Sequence, residues 1–333
     1  MNVLPHGIHD FLASAGWADA GITPLPGDAS FRRYFRITRR GGQGAIAPGT
    51  GRAMLMHAPP PHENPGPFLS VAGWLAANGL RAPHIIAENA ADGWVLLEDF
   101  GDERLREWVD AHPQDESELY ARAIDALVAL HRLPPGPLAA YDLTEYQREA
   151  GLFVEWFCPA KALEVATRDW RAAWDVVLAP VISRQRPGVV VLKDYHAENI
   201  MLPPDGSQGL IDFQDAMIGH PAYDLVSLLQ DARRDVTPMV ERAMIERYIA
   251  AAQPDDAFEA DYAVLGAQRN AKIVGVFTRL AKRDGKPRYL DLIPRVWALL
   301  ERDLAHPALK PVASWFDDNI PRTIRAELGG HIA

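Results

Sequence analysis

Residues 189–213, VVVLKDYHAENIMLPPDGSQGLIDF, constrain the fold more than any other stretch of the chain. A short apolar run stops at a polar loop, a second run, NIML, stops at the turn PPDGS, and a third, GLIDF, follows. Apolar runs this short, separated by turn residues, predict strands. The turn makes NIML and GLIDF antiparallel neighbours, so the start of one lies beside the end of the other and Asn199 comes close to Asp212. An amide oxygen and a carboxylate facing one place suit Mg²⁺, which takes few protein oxygens and completes its octahedron with water and phosphate. Asp194, five residues before Asn199, is left to orient an attacking hydroxyl and accept its proton.

The surroundings of this hairpin divide the chain. Ile8, Phe11, Leu12 and Ala15 recur at helical spacing, and the turn-rich TPLPGDAS follows. FRRYFRI alternates into a strand with two faces, placing Arg32 on one and Arg33 on the other. The Gly-rich stretch 41–51 reads as a hairpin loop leading to a second strand, RAMLMHA. A helix, FLSVAGWLAANGL, closes at Asn78 and Gly79, and HIIAEN and GWVLLEDF are two more strands. From Leu105 onward the periodicity is helical apart from the hairpin. The expectation is an α+β fold with a strand-rich lobe over 1–100 and a helical lobe over 101–333.

A formal charge of −10 argues against a partner whose phosphates need neutralising along a surface, so no nucleic acid is expected. MNVLPHGIHDFLASAGW lacks a basic segment followed by an apolar one, and no apolar run elsewhere reaches about 18 residues, so the expectation is a cytoplasmic protein without a membrane partner. No obligate protein partner is inferred. The single cysteine, Cys158, lies in the apolar stretch LFVEWFCPA and reads as a buried thiol.

Asp194, four residues, Asn199, then Asp212 in IDFQDAMIGHPAYDL resembles the catalytic loop and metal-binding segment of the aminoglycoside phosphotransferase and choline kinase superfamily. The resemblance extends from GDASFRRYFRI through VLLEDFGD to the C-terminal helices. It implies a two-lobed, protein-kinase-like fold, a nucleotide-binding first lobe, a catalytic and acceptor-binding second lobe, ATP and Mg²⁺ as cofactors, Asp194 as the catalytic residue, and Asn199 and Asp212 as metal ligands. It also implies that the backbone of Glu98 and Phe100 pairs with the adenine edge, the alternative for Glu98 and Asp99 being to cap the following helix. Asp224 is expected to brace the catalytic loop.

Two departures stand out. Leu192 and Lys193 occupy the places just before Asp194 where aminoglycoside kinases carry a histidine and its successor, and Lys193 either orients a phosphate or pairs with an exposed acid. The strand RAMLMHA lacks the lysine that these folds use to clamp the phosphates; it has only His57 near that place, which when neutral is a poor clamp and otherwise reads as a surface or packing residue. Compensation would come from GDASFRRYF, through the backbone at 27–30, the Ser30 hydroxyl and Arg32, the alternative being a solvated basic strand.

DASFRRYFRI, DYHAEN and QRNAKIVGVFTRLAKRDGKPRY are most similar to the bacterial anomeric kinases of N-acetylmuramate and N-acetylglucosamine, which implies an amino sugar as substrate. The rivals are an aminoglycoside- or choline-type kinase and a nucleotide-binding pseudokinase regulator. Between 268 and 288 stand Arg269, Lys272, Arg279, Lys282, Arg283, Lys286 and Arg288, which favours a neutral or anionic acceptor over a polycation unless they form a solvated helix face. Gln268, Arg269 and Lys272 share one face and are the candidate acceptor contacts. Trp156 and Phe157 either stack on a sugar ring or belong to the core.

Overall fold

The computed structural model describes residues 4–26, 31–39 and 51–332. In chain order the strands are β1 (Gly21–Pro24), β2 (Arg33–Thr38), β3 (Arg52–His57), β4 (Ile85–Asn89), β5 (Trp94–Leu97), β6 (Val189–Val191), β7 (Ile200–Met201), β8 (Gly209–Leu210) and β9 (Met217–Gly219). The α-helices are α1 (Ile8–Ser14), α2 (Gly66–Ala77), α3 (Leu105–Ala111), α4 (Glu116–His131), α5 (Leu143–Ala150), α6 (Cys158–Ala160), α7 (Thr167–Arg184), α8 (Ala222–Leu229), α9 (Pro238–Ala252), α10 (Phe258–Lys282), α11 (Ile293–Leu304), α12 (Lys310–Asn319) and α13 (Arg322–Ala326).

Two compact units result, Met1–Asp115 with Glu198–Asp215, and Glu116–Ala197 with Ala216–Ala333. The division therefore falls beyond residue 100, and the hairpin groups with the first unit. The cause is pairing: Arg104 bridges Met201, Leu202 N–H donates to Glu103 C=O at 2.9 Å, and Leu210 N–H donates to Arg81 C=O at 2.8 Å.

In the first unit five antiparallel strands lie in the order β1-β2-β3-β5-β4. Phe35, Ile37, Ala53, Leu55, Trp94 and Leu96 form one core with Ile8, Phe11 and Leu12 of α1. Each large side chain so buried contributes about 1.5–3 kcal/mol. The opposite face carries Tyr34 and Arg36 of β2 beside Met56 and Met54 of β3. Strand β1 was hidden in sequence because GITP has a single half-buried apolar side chain and too little length to alternate.

The second unit is built around α10, which packs against α5, α8 and α11. At Gly275 a Cβ would stand 2.3 Å from the Leu152 carbonyl carbon, so the bare backbone there lets α10 lie directly on the 152–153 segment. Phe157 is fully buried and stacks with Phe153 in an aromatic core that includes Trp170 and Trp297, which answers the question left for it; Trp156 is half-buried. Burial pushes the Cys158 thiol up to about 12. Strand β6 pairs with β9, a strand of three residues not anticipated from the sequence.

Candidate active site

Within the first unit β7 and β8 pair Ile200 with Leu210 and Met201 with Gly209, and Ile211 N–H donates to Asn199 C=O at 3.1 Å. Asn199 is thus opposite Ile211, and the next residue, Asp212, still comes within reach: Asn199 Nδ2 lies 3.4 Å from Asp212 Oδ2, and Gln214 Nε2 donates to Asp212 Oδ1 at 2.9 Å. Asp212, two residues past the end of β8, has a φ of +60°, a left-handed backbone that no strand continues through. Rotating the Asn199 amide about χ2 presents its oxygen in place of its nitrogen. The pair then offers two hard oxygens, which fits a magnesium ion shared with phosphate and water. Among the described residues no group of three or more His, Cys, Asp or Glu is arranged to cage a metal.

The exit of β5 lies in the same unit. The buried Glu98 carboxylate pairs with both terminal nitrogens of Arg81, at 2.7 and 2.6 Å, and accepts the His84 N–H. Asp99 accepts from Arg36 at 2.7 and 3.1 Å and from the Gly101 N–H at 2.9 Å. Both acids are anchors inside this unit. Neither caps a helix, for Arg104 is the N-cap residue of α3 and no side chain bonds there. The backbone is placed differently: among the described residues no protein group is hydrogen-bonded to the Glu98 C=O or the Phe100 N–H. The Phe100 ring lies over Gly209, where a Cβ would stand 2.5 Å from it, and Arg81 covers the ring at 4.6 Å.

Arg32 is half-buried beside Glu63, Tyr34 and Asp212. Ser30 and the backbone cradle at 27–30 lie outside the described residues, as do residues 41–50. His57 is no substitute for a clamp on the Arg32 side: it alternates with Leu55 on the α1 face and stacks on Trp94 with centroids 4.0 Å apart.

In the second unit β6 leads into the loop 192–197, which is pinned along its length. Asp224 of α8 accepts the backbone N–H groups of Leu192 at 2.6 Å and Lys193 at 2.9 Å, and Ser227 Oγ donates to the Lys193 C=O at 3.3 Å. Tyr195 OH donates to the Ala123 C=O, and Asp231 accepts the Ala197 N–H. Lys193 has a φ of +69°, and the half-buried Asp194 follows it. Complete burial, opposed by the two N–H groups and raised further by Asp194, pushes the Asp224 carboxyl up to about 7.

Lys193 does not pair with an exposed acid. Its Nζ is 2.8 Å from the buried Glu149, whose other oxygen lies 2.9 Å from Lys272 Nζ and accepts the Tyr141 hydroxyl. Burial alone would raise the Glu149 carboxyl, but Lys272 and Lys193 hold it at about 2. Lys272 also reaches the Tyr223 hydroxyl at 3.3 Å and feels the charge of Asp194. Gln268 and Arg269 are buried, not part of a solvated face, since α10 is enclosed at that level; Lys282, Arg283 and Arg288 further along are exposed. Gln268 Nε2 donates to the Tyr146 C=O, while Gln268 Oε1 and Arg269 Nη1 are buried with no hydrogen-bond partner among the described residues. Sequence reasoning missed Glu149, which carries no local sign of its role.

An antiparallel sheet with an Asn–Asp pair on an attached hairpin, and a pinned aspartate loop in a helical unit, define a kinase-like phosphotransferase. Residues 21–264 match the model of the phosphotransferase enzyme family, and the chain belongs to that family. It is 38% identical to the N-acetylmuramate/N-acetylglucosamine kinase of Caulobacter vibrioides, over 93% of this chain and 95% of that one. It is 34% identical to the protein of the same name from Pseudomonas aeruginosa, over 89% and 88% of the two chains. Its fold is similar to that of a choline/ethanolamine kinase family protein from Mesorhizobium loti, with a TM-score of 0.61 at 15% identity over 92% of this chain and 98% of that one. An ADP-bound aminoglycoside phosphotransferase, APH(2'')-Ib, is similar at a TM-score of 0.57 and 13% identity, over 89% and 97%. No helix among the described residues is long and apolar enough to cross a membrane.

Proposed function

We propose that this enzyme transfers the terminal phosphoryl group of ATP to the anomeric hydroxyl of N-acetylmuramate or N-acetylglucosamine, in the cytoplasm. The observation that carries the chemistry is the approach of the Asn199 amide to the Asp212 carboxylate at 3.4 Å, just beyond the ends of the paired strands β7 and β8. The acceptor is carried by the names of the two relatives. Asn199 and Asp212 would hold Mg²⁺, which supplies neutralisation of the charge on the phosphates. Asp194 orients the acceptor hydroxyl and takes its proton, and its loop is held in shape by Asp224. The Glu98 C=O and Phe100 N–H face the adenine edge, and Ser30 and Arg32 contact phosphate oxygens. Gln268, Arg269 and Lys272 belong to the acceptor side. Arg269 and Lys272, buried and half-buried in the unit that carries Asp194, disfavour a polycationic aminoglycoside.

The test is ADP release with Mg-ATP against N-acetylmuramate, N-acetylglucosamine, kanamycin and choline, with Asp194→Asn as control. Turnover on the amino sugars, absent in the control, is the expected result. Turnover on kanamycin or choline alone overturns the acceptor and keeps the reaction, whereas full activity in Asp194→Asn overturns the role of the base.

A further inference from the structure

On the sheet face that carries Tyr34 and Arg36, β3 supplies Met54 and Met56, and α2 carries no charged side chain. The cations of β2 and β3 on that face are already committed. Arg36 spends its donors on Asp99, Asp102 and the Gly101 C=O, and Arg52 reaches Asp99 at 3.3 Å.

Arg32, just ahead of β2, is held in another way. Its Nε donates to Glu63 Oε2 at 3.2 Å, and Glu63 Oε1 accepts the backbone N–H of Phe31 at 3.3 Å. The Phe31 ring stacks on His62, with centroids 5.2 Å apart. Two residues of the turn after β3 thus grip the two residues that lead into β2. The guanidinium is also bonded to Tyr34 and lies within electrostatic reach of Asp212.

We propose that Glu63 is a positioning residue for phosphoryl transfer, fixing the backbone at Phe31 and aiming Arg32 at phosphate oxygens beside Asp212. The inference rests on the kinase reading above. A long arginine side chain loses rotamer freedom when it binds a phosphate, and a carboxylate that orders it beforehand reduces that loss. Glu63 lies in the HEN turn and needs no contact with the nucleotide to do this.

The experiment measures steady-state kinetics and the ATP-dependent rise in melting temperature for Glu63→Gln, Glu63→Asp, Arg32→Gln and the double Gln variant. Glu63→Gln is expected to raise the KM for ATP about tenfold, the scale of one charge-assisted hydrogen bond, with the KM for the sugar unchanged and the ATP-dependent melting shift reduced. Glu63→Asp should fall between wild type and Glu63→Gln. The double variant should be no worse than Arg32→Gln, because Glu63 acts through Arg32. Additive effects, or a wild-type KM for ATP in Glu63→Gln, overturn the proposal. If Glu63→Gln does not fold, Glu63→Asp decides: a raised KM for ATP supports the role and a wild-type value overturns it. A wild-type protein with neither turnover nor an ATP-dependent shift overturns the kinase reading and this inference together.

Discussion

The Lys193 ammonium lies 2.8 Å from the Glu149 carboxylate, in a setting where both side chains are almost wholly withdrawn from water. Lys193 is the residue immediately before Asp194, so the ion pair ties the shape of the proposed catalytic loop to helix α5. A carboxyl held at about 2 when folded, against 4.5 ordinarily, contributes stability that is present above about pH 4.5 and lost as the pH falls through about 2. Glu149→Gln is therefore expected to lose roughly 3 kcal/mol at neutral pH, leaving two buried lysines without their shared acid. Denaturant unfolding across the acid range checks this, and the deficit relative to wild type should shrink below about pH 4.5.

Asp224 has the opposite sign. Its carboxyl is raised to about 7 in the folded chain, so the native state keeps a proton that the unfolded state has released above about pH 4. This group's contribution to stability falls as the pH rises from about 4 to about 7. Asp224→Asn removes that slope and offers one acceptor oxygen to two N–H donors. Its stability relative to wild type should improve across that range, while kcat drops about tenfold or more with little change in the KM for ATP.

Asp212→Asn replaces the carboxylate of the proposed metal pair with an amide. Turnover should fall by about two orders of magnitude or more, and the Mg²⁺ concentration needed for half-maximal rate should rise. A Mg²⁺ titration of the rate at fixed ATP reads both, and an unchanged requirement would remove Asp212 from the metal site.

His57→Gln tests the assignment of sheet faces. The ring stacks on Trp94 among α1 core residues, so the change should lower the melting temperature by a few degrees and leave the KM for ATP within about twofold. A large rise in that KM would mean that His57 reaches the nucleotide after all.

The hairpin was legible because everything that makes it is local: short apolar runs, a Pro–Pro–Asp–Gly–Ser turn, and a pairing that leaves Asn199 within reach of Asp212. The two faces of β2 and β3 were legible in the same way, since alternation places Leu55 and His57 opposite Met54 and Met56. Glu149 was not, because Lys193 is 44 residues away in sequence and nothing in YQREAGLFVEWF separates a buried acid from a solvated one. The burial of Gln268 and Arg269 was hidden for a related reason. A run of cations reads as a wet face until α5, α8 and α11 are known to enclose that part of α10. Strands β1 and β9 escaped because GITP and MIG are short and, unlike the runs VVVL and WVLL, hold too few consecutive apolar residues to stand out from the turns around them.

The first unit is not continuous along the chain, for it closes with Glu198–Asp215. Phe213 stacks on Phe68 at 5.1 Å, and Gly209 receives the Phe100 ring. A ribosome delivers residues in order, so Phe68 and Phe100 are made long before the segment that covers them. The Phe68 ring of α2 and the Phe100 ring beyond β5 therefore gain these contacts only once the chain has been made as far as Phe213.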